Sequence, residues 1–261
     1  MRKIAVFLSK GGVGKTTTAV HLAAGLANKG ARVLLIDTDT QGQVSVLLGA
    51  RPAAGLAEVV TVGLKPEIAL LQARERLWLL SGGQGLANVK RLIARKDPRG
   101  EDTLAEALAP LEGRYDYVIL DTSPGWDTLN NNVLFYAQEI LTPVSLEALT
   151  LQSLQDFQEN LAAIQHYRSV LTLKYILPTF LDGRVRKSKD IWEQLRDQYT
   201  DRLCDPIRYN VRLSEAAGQG KTIFEYAPHS PGAEDYQRLI DKIVLDTQGK
   251  ELCRNEPPLS L

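Results

Sequence analysis

The sequence predicts an α/β fold built on a mainly parallel, twisted sheet flanked by helices. Three observations predict it. Short apolar runs of strand length alternate with helical patterns, a glycine-rich loop joins the first run to the first helix, and acidic residues stand where two later runs end.

Taken in order, residues 4–8 are a continuous apolar run, as expected of a strand covered on both faces. Residues 16–29 follow, with Ala19, Val20, Leu22, Ala23, Leu26 and Ala27 spread over most of a helix surface and Gly30 placed to end it. Residues 33–36 supply a second strand, so residues 4–36 read as one βαβ unit. Further strands are expected at 77–80, 117–120, 140–144 and 175–180, and further helices at 152–169, 190–199 and 234–246. The last has Tyr236, Leu239, Ile240, Ile243 and Val244 at helical spacing. No repeat, low-complexity tract or composition break interrupts residues 1–248, which read as one domain. Residues 249–261, with Pro257 and Pro258 and no periodic pattern, read as a flexible tail.

Composition excludes several classes. With 44% hydrophobic residues in 261, the chain is not disordered and can bury a core without metal or disulfide staples. No window approaches the roughly 18 consecutive apolar residues of a membrane span, and the first apolar run is too short for a signal peptide, so a cytoplasmic protein is expected. Cys204 and Cys253 read as free thiols and cannot alone ligate zinc or a cluster. His21, His166 and His229 share no metal or triad spacing. The 31 basic and 31 acidic side chains balance, so any nucleic-acid binding must rest on local patches.

Ser9-Lys10-Gly11-Gly12-Val13-Gly14-Lys15-Thr16-Thr17-Thr18 leads from the first strand into the first helix. Its glycines let main-chain N–H groups of residues 11–17 converge on phosphate oxygens at a helix N-terminus. Lys15 neutralises β/γ charge and the Thr16 hydroxyl is a magnesium ligand. A nucleotide with Mg2+ is therefore expected at this loop. Asp37 and Asp39 follow the second strand, and Asp121 ends the strand at 117–120, where ligands of open α/β sheets bind. Three phosphate- or acid-bearing strand ends in one sheet give Asp121 a magnesium role beside Thr16.

The form K-G-G-x-G-K-[ST], with Ser9 in place of the usual first glycine, resembles the deviant Walker A loop of the ParA/MinD family of ATPases. Asp37-Thr38-Asp39-Thr40-Gln41-Gly42 resembles that family's D-x-D-P-Q-G segment, departing at Thr40, and Ser123 stands where a second proline is usual. Toward the C-terminus, residues 178–184, Asn210-Val211-Arg212-Leu213-Ser214-Glu215-Ala216, Gly220-Lys221-Thr222-Ile223 and Gly232-Ala233-Glu234-Asp235-Tyr236 resemble ParA segments in order and spacing. The resemblance spans nearly the whole chain. It implies that Lys10 reaches the phosphates of the opposite subunit in an ATP-bound homodimer. It also implies that Asp39 helps orient the attacking water, that Asp37 lies near the metal or the lysine, and that Asn210 faces the adenine. Arg184 and Arg212 would then lie on a surface that binds nonspecific DNA.

Independently, Arg184, Arg186, Lys187 and Lys189 crowd one short stretch, and Lys90, Arg91, Arg95, Lys96 and Arg99 face Asp97 alone. Within a ParA-like chain both stretches read as contacts to phosphate backbone, salt-dependent and blind to sequence. The function that follows is a Mg-dependent ATPase, nucleoid-associated in its ATP state, that segregates or positions a plasmid, chromosome or protein assembly. A ParB-like or other cargo-bound activator would stimulate its hydrolysis. It reads as a short form without an N-terminal DNA-binding extension. The alternatives are a MinD-like membrane-surface ATPase, disfavoured by the lack of an amphipathic stripe in residues 250–261, and a metabolic P-loop enzyme acting on a small substrate.

Overall fold

The computed structural model describes residues 1–96, 100–147 and 149–255, with side chains as far as residue 248. Seven strands form one sheet: β1 (Arg2–Val6), β2 (Val33–Asp37), β3 (Leu71–Arg74), β4 (Leu77–Leu80), β5 (Tyr117–Asp121), β6 (Glu139–Ser145) and β7 (Thr172–Thr179). Their order across the sheet is β3-β4-β2-β5-β1-β6-β7, parallel throughout except where β3 pairs antiparallel with β4.

The inner strands are apolar and alternate between two cores, as a sheet covered on both sides requires. Ile4, Val6, Val33, Leu35, Tyr117 and Ile119 point to one face. There they meet α1 (Lys15–Asn28) and the helices around it: α2 (Gln43–Leu47), α10 (Val211–Gly218), α11 (Ile223–Tyr226) and α12 (Pro231–Asn255). Ala5, Phe7, Leu34, Ile36, Val118 and Leu120 point to the other. This face carries α3 (Leu56–Val62), α4 (Pro66–Ala69), α5 (Leu86–Arg95), α6 (Thr103–Leu108), α7 (Thr128–Tyr136), α8 (Thr150–Tyr167) and α9 (Arg186–Tyr199).

Six of the seven strands lie where the apolar runs place them, with shifted ends. β1 starts at Arg2 and closes at Val6; Phe7 and Leu8 stay buried but already lead into the loop. The edge strand β3 is short and half-exposed, so it carries no apolar run to announce it. The helices α2 to α7, α10 and α11 are likewise absent from the sequence reading; most are no longer than two turns and are stabilised by tertiary packing, whereas the ten residues of α5 do carry a helical apolar pattern at Leu86, Val89 and Ile93. α9 begins at Arg186, before the expected 190. α12 runs to Asn255, into the segment read as a tail; residues 256–261, like Asp97 and Arg99 of the second basic stretch, lie outside the described residues. Cys204 is a buried free thiol; the side chain of Cys253 lies outside those described.

Candidate functional site

The loop between β1 and α1 lies at the C-terminal edge of the sheet, where β1 is flanked by β5 on one side and β6 on the other. That is the switch point at which open α/β sheets bind ligands. Gly12 and Gly14 have φ of 73° and 87°, a region side chains avoid, so the loop needs glycine at both positions. No side chain caps the start of α1, which leaves its first N–H groups free for an anion. Two contacts hold the loop in shape: the Thr179 hydroxyl donates to the Val13 carbonyl (3.0 Å), and the Gly125 N–H donates to the Ser9 carbonyl (2.8 Å).

The two lysines of the loop are held differently. Lys15 is buried, and its Nζ donates to the main-chain carbonyl of Lys10 at 2.8 Å. Burial lowers its pKa, against the pull of Asp121 and Asp39. Lys10 extends away, its Nζ 3.4 Å from Glu147 Oε2 in an exposed pair.

Sheet register brings the acids together. Asp121 pairs across the ladders with Val6 on one side and with Asp37 on the other. Both carboxylates are fully buried, yet their surroundings differ. Asp37 accepts from the Asp39 N–H (2.9 Å) and the Val44 N–H (3.3 Å), so it braces the loop between β2 and α2. Asp39 in turn accepts from the Gln41 N–H at Oδ1 (3.0 Å), and its carbonyl accepts from Gly83 N–H (2.9 Å). These bonds hold the loop at Thr40, where the related segments have proline. Neither carboxylate oxygen of Asp121 has a hydrogen-bond partner of good geometry among the described residues. Burial, and then the neighbouring Asp37, hold its pKa well above the usual carboxylate range, while the Thr16 hydroxyl and Lys15 pull it back. Uncommitted hard oxygens beside a threonine hydroxyl fit a divalent cation that keeps several of its waters. Of the three expected metal residues, Thr16 and Asp121 have this character, whereas Asp37 is largely engaged by backbone.

Two adjoining cavities complete the site. One, of about 420 Å³, is lined by Gly11, Gly12, Gly14, Lys15, Thr16, Thr17 and Asp39, with Gln41, Gln43, Thr122, Pro124 and Phe180. The other, of about 280 Å³, is walled by Phe180, Ile207, Arg208, Tyr209, Asn210, Leu213 and Tyr236, among others. They share Gly14, Thr17 and Phe180, so the two chambers adjoin across these residues. Asn210 lies in the second wall, with its Oδ1 capping α10 through the Arg212 N–H (2.9 Å). Phe180, at φ 58°, and Tyr209 were not singled out in the sequence; an apolar residue ending a strand gives no signal that it turns into a cavity. His21 lies just behind. Its Nε2 accepts from the Ile223 N–H (2.9 Å), so Nδ1 carries the proton given to the Thr17 carbonyl (2.7 Å), and the ring stacks on Tyr236. Burial pushes its pKa down to about 4.

The predicted DNA-contacting residues lie on α9, α10 and the loop before α9. Arg186, Lys187 and Lys189 occupy the first turn of α9, which contains no acid; cations there oppose the helix dipole. Arg186 and Lys187 have no ion pair among the described residues. Arg184 is bound by Asp182 (2.8 Å) and Arg212 by Glu215 (2.8 Å), both in exposed pairs. The second basic stretch divides: Lys90 is taken by Asp127 (2.7 Å) and Lys96 by Glu106 (2.5 Å), while Arg91 and Arg95 stay exposed without ion pairs among the described residues. Trp126 packs against Phe7 and Phe157 and serves the core.

A family model described as "AAA domain" matches residues 1–173. The chain is 37% identical to the chromosome-partitioning ATPase Soj of Thermus thermophilus, over 95% of this chain and 97% of the relative. It is 34% identical to the sporulation initiation inhibitor protein Soj of Bacillus subtilis, over 92% and 97%. Among solved structures it is similar to cobyrinic acid a,c-diamide synthase of Mycobacterium smegmatis with bound ADP and magnesium. There the TM-score is 0.82 at 30% identity, covering 95% of this chain and 96% of the other.

Proposed function

The chain belongs to the ParA family of partition ATPases, and from that premise we propose that it hydrolyses ATP with Mg2+, dimerises around the nucleotide, binds nonspecific DNA in that state and positions a cargo. The observation that carries this reading is the pair of joined chambers, one at the glycine loop and one at Asn210, with the uncommitted Asp121 carboxylate beside Thr16.

In this reading, Lys15 leaves the Lys10 carbonyl to meet the β/γ-phosphates, while the loop N–H groups of residues 11–17 hold their oxygens. Thr16 and Asp121 would hold the magnesium, which when bound would neutralise charge on the phosphates, and Asp37 keeps the neighbouring loop in place. Asp39, fixed through its own backbone contacts, orients the attacking water. Lys10, which extends from the loop, serves the partner subunit's nucleotide, and supplying that charge in trans ties hydrolysis to dimerisation. The adenine occupies the chamber of Phe180, Tyr209 and Asn210.

DNA binding rests on Arg184, Arg186, Lys187 and Arg212. Three cations in the first turn of α9, or beside it, gain from an anion that relieves their clash with the dipole, which supports a phosphate partner. A cargo-bound activator would reset the cycle through hydrolysis. Among the described residues no helix is long and apolar enough to cross a membrane.

The test is retention on duplex DNA with ATP, with ADP and without nucleotide, at two salt concentrations. ATP-selective, salt-sensitive retention that weakens in an R186E/K187E variant is expected; retention indifferent to nucleotide would sink the switch. A second reading, a metabolic enzyme, draws on the likeness to the Mycobacterium smegmatis synthase. ATP turnover stimulated by cobyrinic acid and not by DNA would select it.

A further inference from the structure

The second basic stretch is not absorbed by the reading above, and the fold shows why. α5 packs against α3 and against α7, which lies on β1, whereas α9 packs against α8, which lies on β6. The two sets of cations therefore do not form one track for a nucleic-acid backbone.

α5 is strongly amphipathic. Leu86, Val89 and Ile93 enter the core, and the outer side presents Arg91 and Arg95, one helical turn apart. Between this side and α3 runs an open groove of about 490 Å³ lined by Thr61, Asn88, Arg91, Leu92, Arg95 and Lys96. Among the described residues neither Arg91 nor Arg95 has an ion pair. Glu58 of α3 accepts from the Gly55 N–H (2.8 Å), and Glu106 pairs with Lys96. Among the described residues Arg91 has a long contact to the Ala87 carbonyl (3.4 Å). Leu92 gives the groove an apolar floor, and Val62, at the end of α3 and next to Thr61, is 75% exposed.

We propose that this groove is a docking site for an acidic segment of a partner protein, in which carboxylates meet Arg91 and Arg95 and an adjoining apolar side chain covers Leu92 and Val62. Charge complementarity names the occupant. Guanidinium groups one turn apart match carboxylates with two-pronged hydrogen bonds, and an apolar strip beside them suits a peptide. Duplex DNA fits less well, because its phosphate backbone offers nothing apolar to cover Leu92 and Val62. The inner side of the same helix is joined to the nucleotide site: Lys90 Nζ bonds Asp127, and the Thr128 hydroxyl donates to the Lys90 carbonyl (3.3 Å). A docked partner thus sits one helix away from the loop that follows Asp121.

Fluorescence anisotropy with the full chain tests this, using a labelled peptide of alternating glutamate and leucine, its glutamine-for-glutamate counterpart, and a labelled duplex. The glutamate peptide should bind with an affinity that falls as salt rises, and the R91E/R95E variant should lose it by roughly 10-fold or more. R91K/R95K should fall between, since lysine keeps charge but not the fork. ATP turnover, thermal melting and duplex binding should match wild type in both variants, which separates lost docking from misfolding. Equal binding of the two peptides, or unchanged peptide affinity in R91E/R95E, overturns the proposal. Loss of duplex affinity in that variant overturns it as well, and assigns the groove to DNA.

Discussion

Lys15 Nζ donates to the main-chain oxygen of Lys10 at 2.8 Å, so one lysine of the loop is tied to the backbone of the other while the side chain of Lys10 turns outward toward Glu147. The two ammonium groups differ in burial and in direction, although both come from one glycine-rich stretch. Lys15→Ala should lower ATP affinity of the monomer by roughly 100-fold, because a charge-assisted contact is lost from a buried site. Lys10→Ala should leave that affinity within about 2-fold, an exposed ion pair being worth little, and should remove ATP-dependent dimers and stimulated turnover. Calorimetric titration and sedimentation of both variants check this; equal loss of ATP affinity in the two contradicts the division.

Asp121 is a buried carboxyl without a good hydrogen bond, a group expected to weaken the ligand-free fold. Asp121→Asn should therefore raise the melting temperature of the nucleotide-free protein, by about 1–3 kcal/mol in stability. It should also lose most Mg-dependent turnover and keep nucleotide binding in EDTA. A variant both less stable and fully active would mean that Asp121 serves packing alone.

His21 gives a pH signature. Its folded-state pKa of about 4 lies below the ordinary value of 6.5, so the unfolded chain binds the extra proton first as pH falls. Its stabilising contribution is complete above about pH 6.5 and is lost progressively toward pH 4, by on the order of 3 kcal/mol. Urea unfolding at several pH values should show a shallower slope over this window in His21→Gln than in wild type. Parallel slopes would mean the ring is not buried and neutral.

Gly25 is a packing requirement rather than a backbone one. A Cβ there would lie 1.9 Å from Ile240 Cδ1, where α1 meets α12. Gly25→Ala should cost about 1–3 kcal/mol despite alanine's better helix propensity, and Ile240→Val beside it should recover part of that loss. Thermal melts of the single and double variants decide it; additive losses would refute direct contact.

Much of this protein is legible from its residues. Buried parallel strands are continuous apolar runs, so six of seven were readable; β3, half-exposed and four residues long, was not. The loop from Ser9 to Thr18 was equally plain, because a glycine-rich turn between a strand and a helix has few other uses. The contrast between Asp37 and Asp121 was hidden: both end apolar strands, and only the bonds around them separate the loop brace from the uncommitted carboxylate. Basic stretches looked alike for a similar reason, since the sequence counts charges but not partners such as Asp127, Glu106, Asp182 and Glu215.

The inner strands, the phosphate loop and the family are written in the residues, because these depend on local patterns of side-chain polarity and on glycine's freedom at a tight turn. Which strand ends stand side by side, which charges are already neutralised and which helices share a groove emerge once the chain is folded. Strand order places β5 between β1 and β2, so Asp121 meets residues far from it in the chain. Interactions of that kind depend on distance in space, which the linear order of residues does not contain.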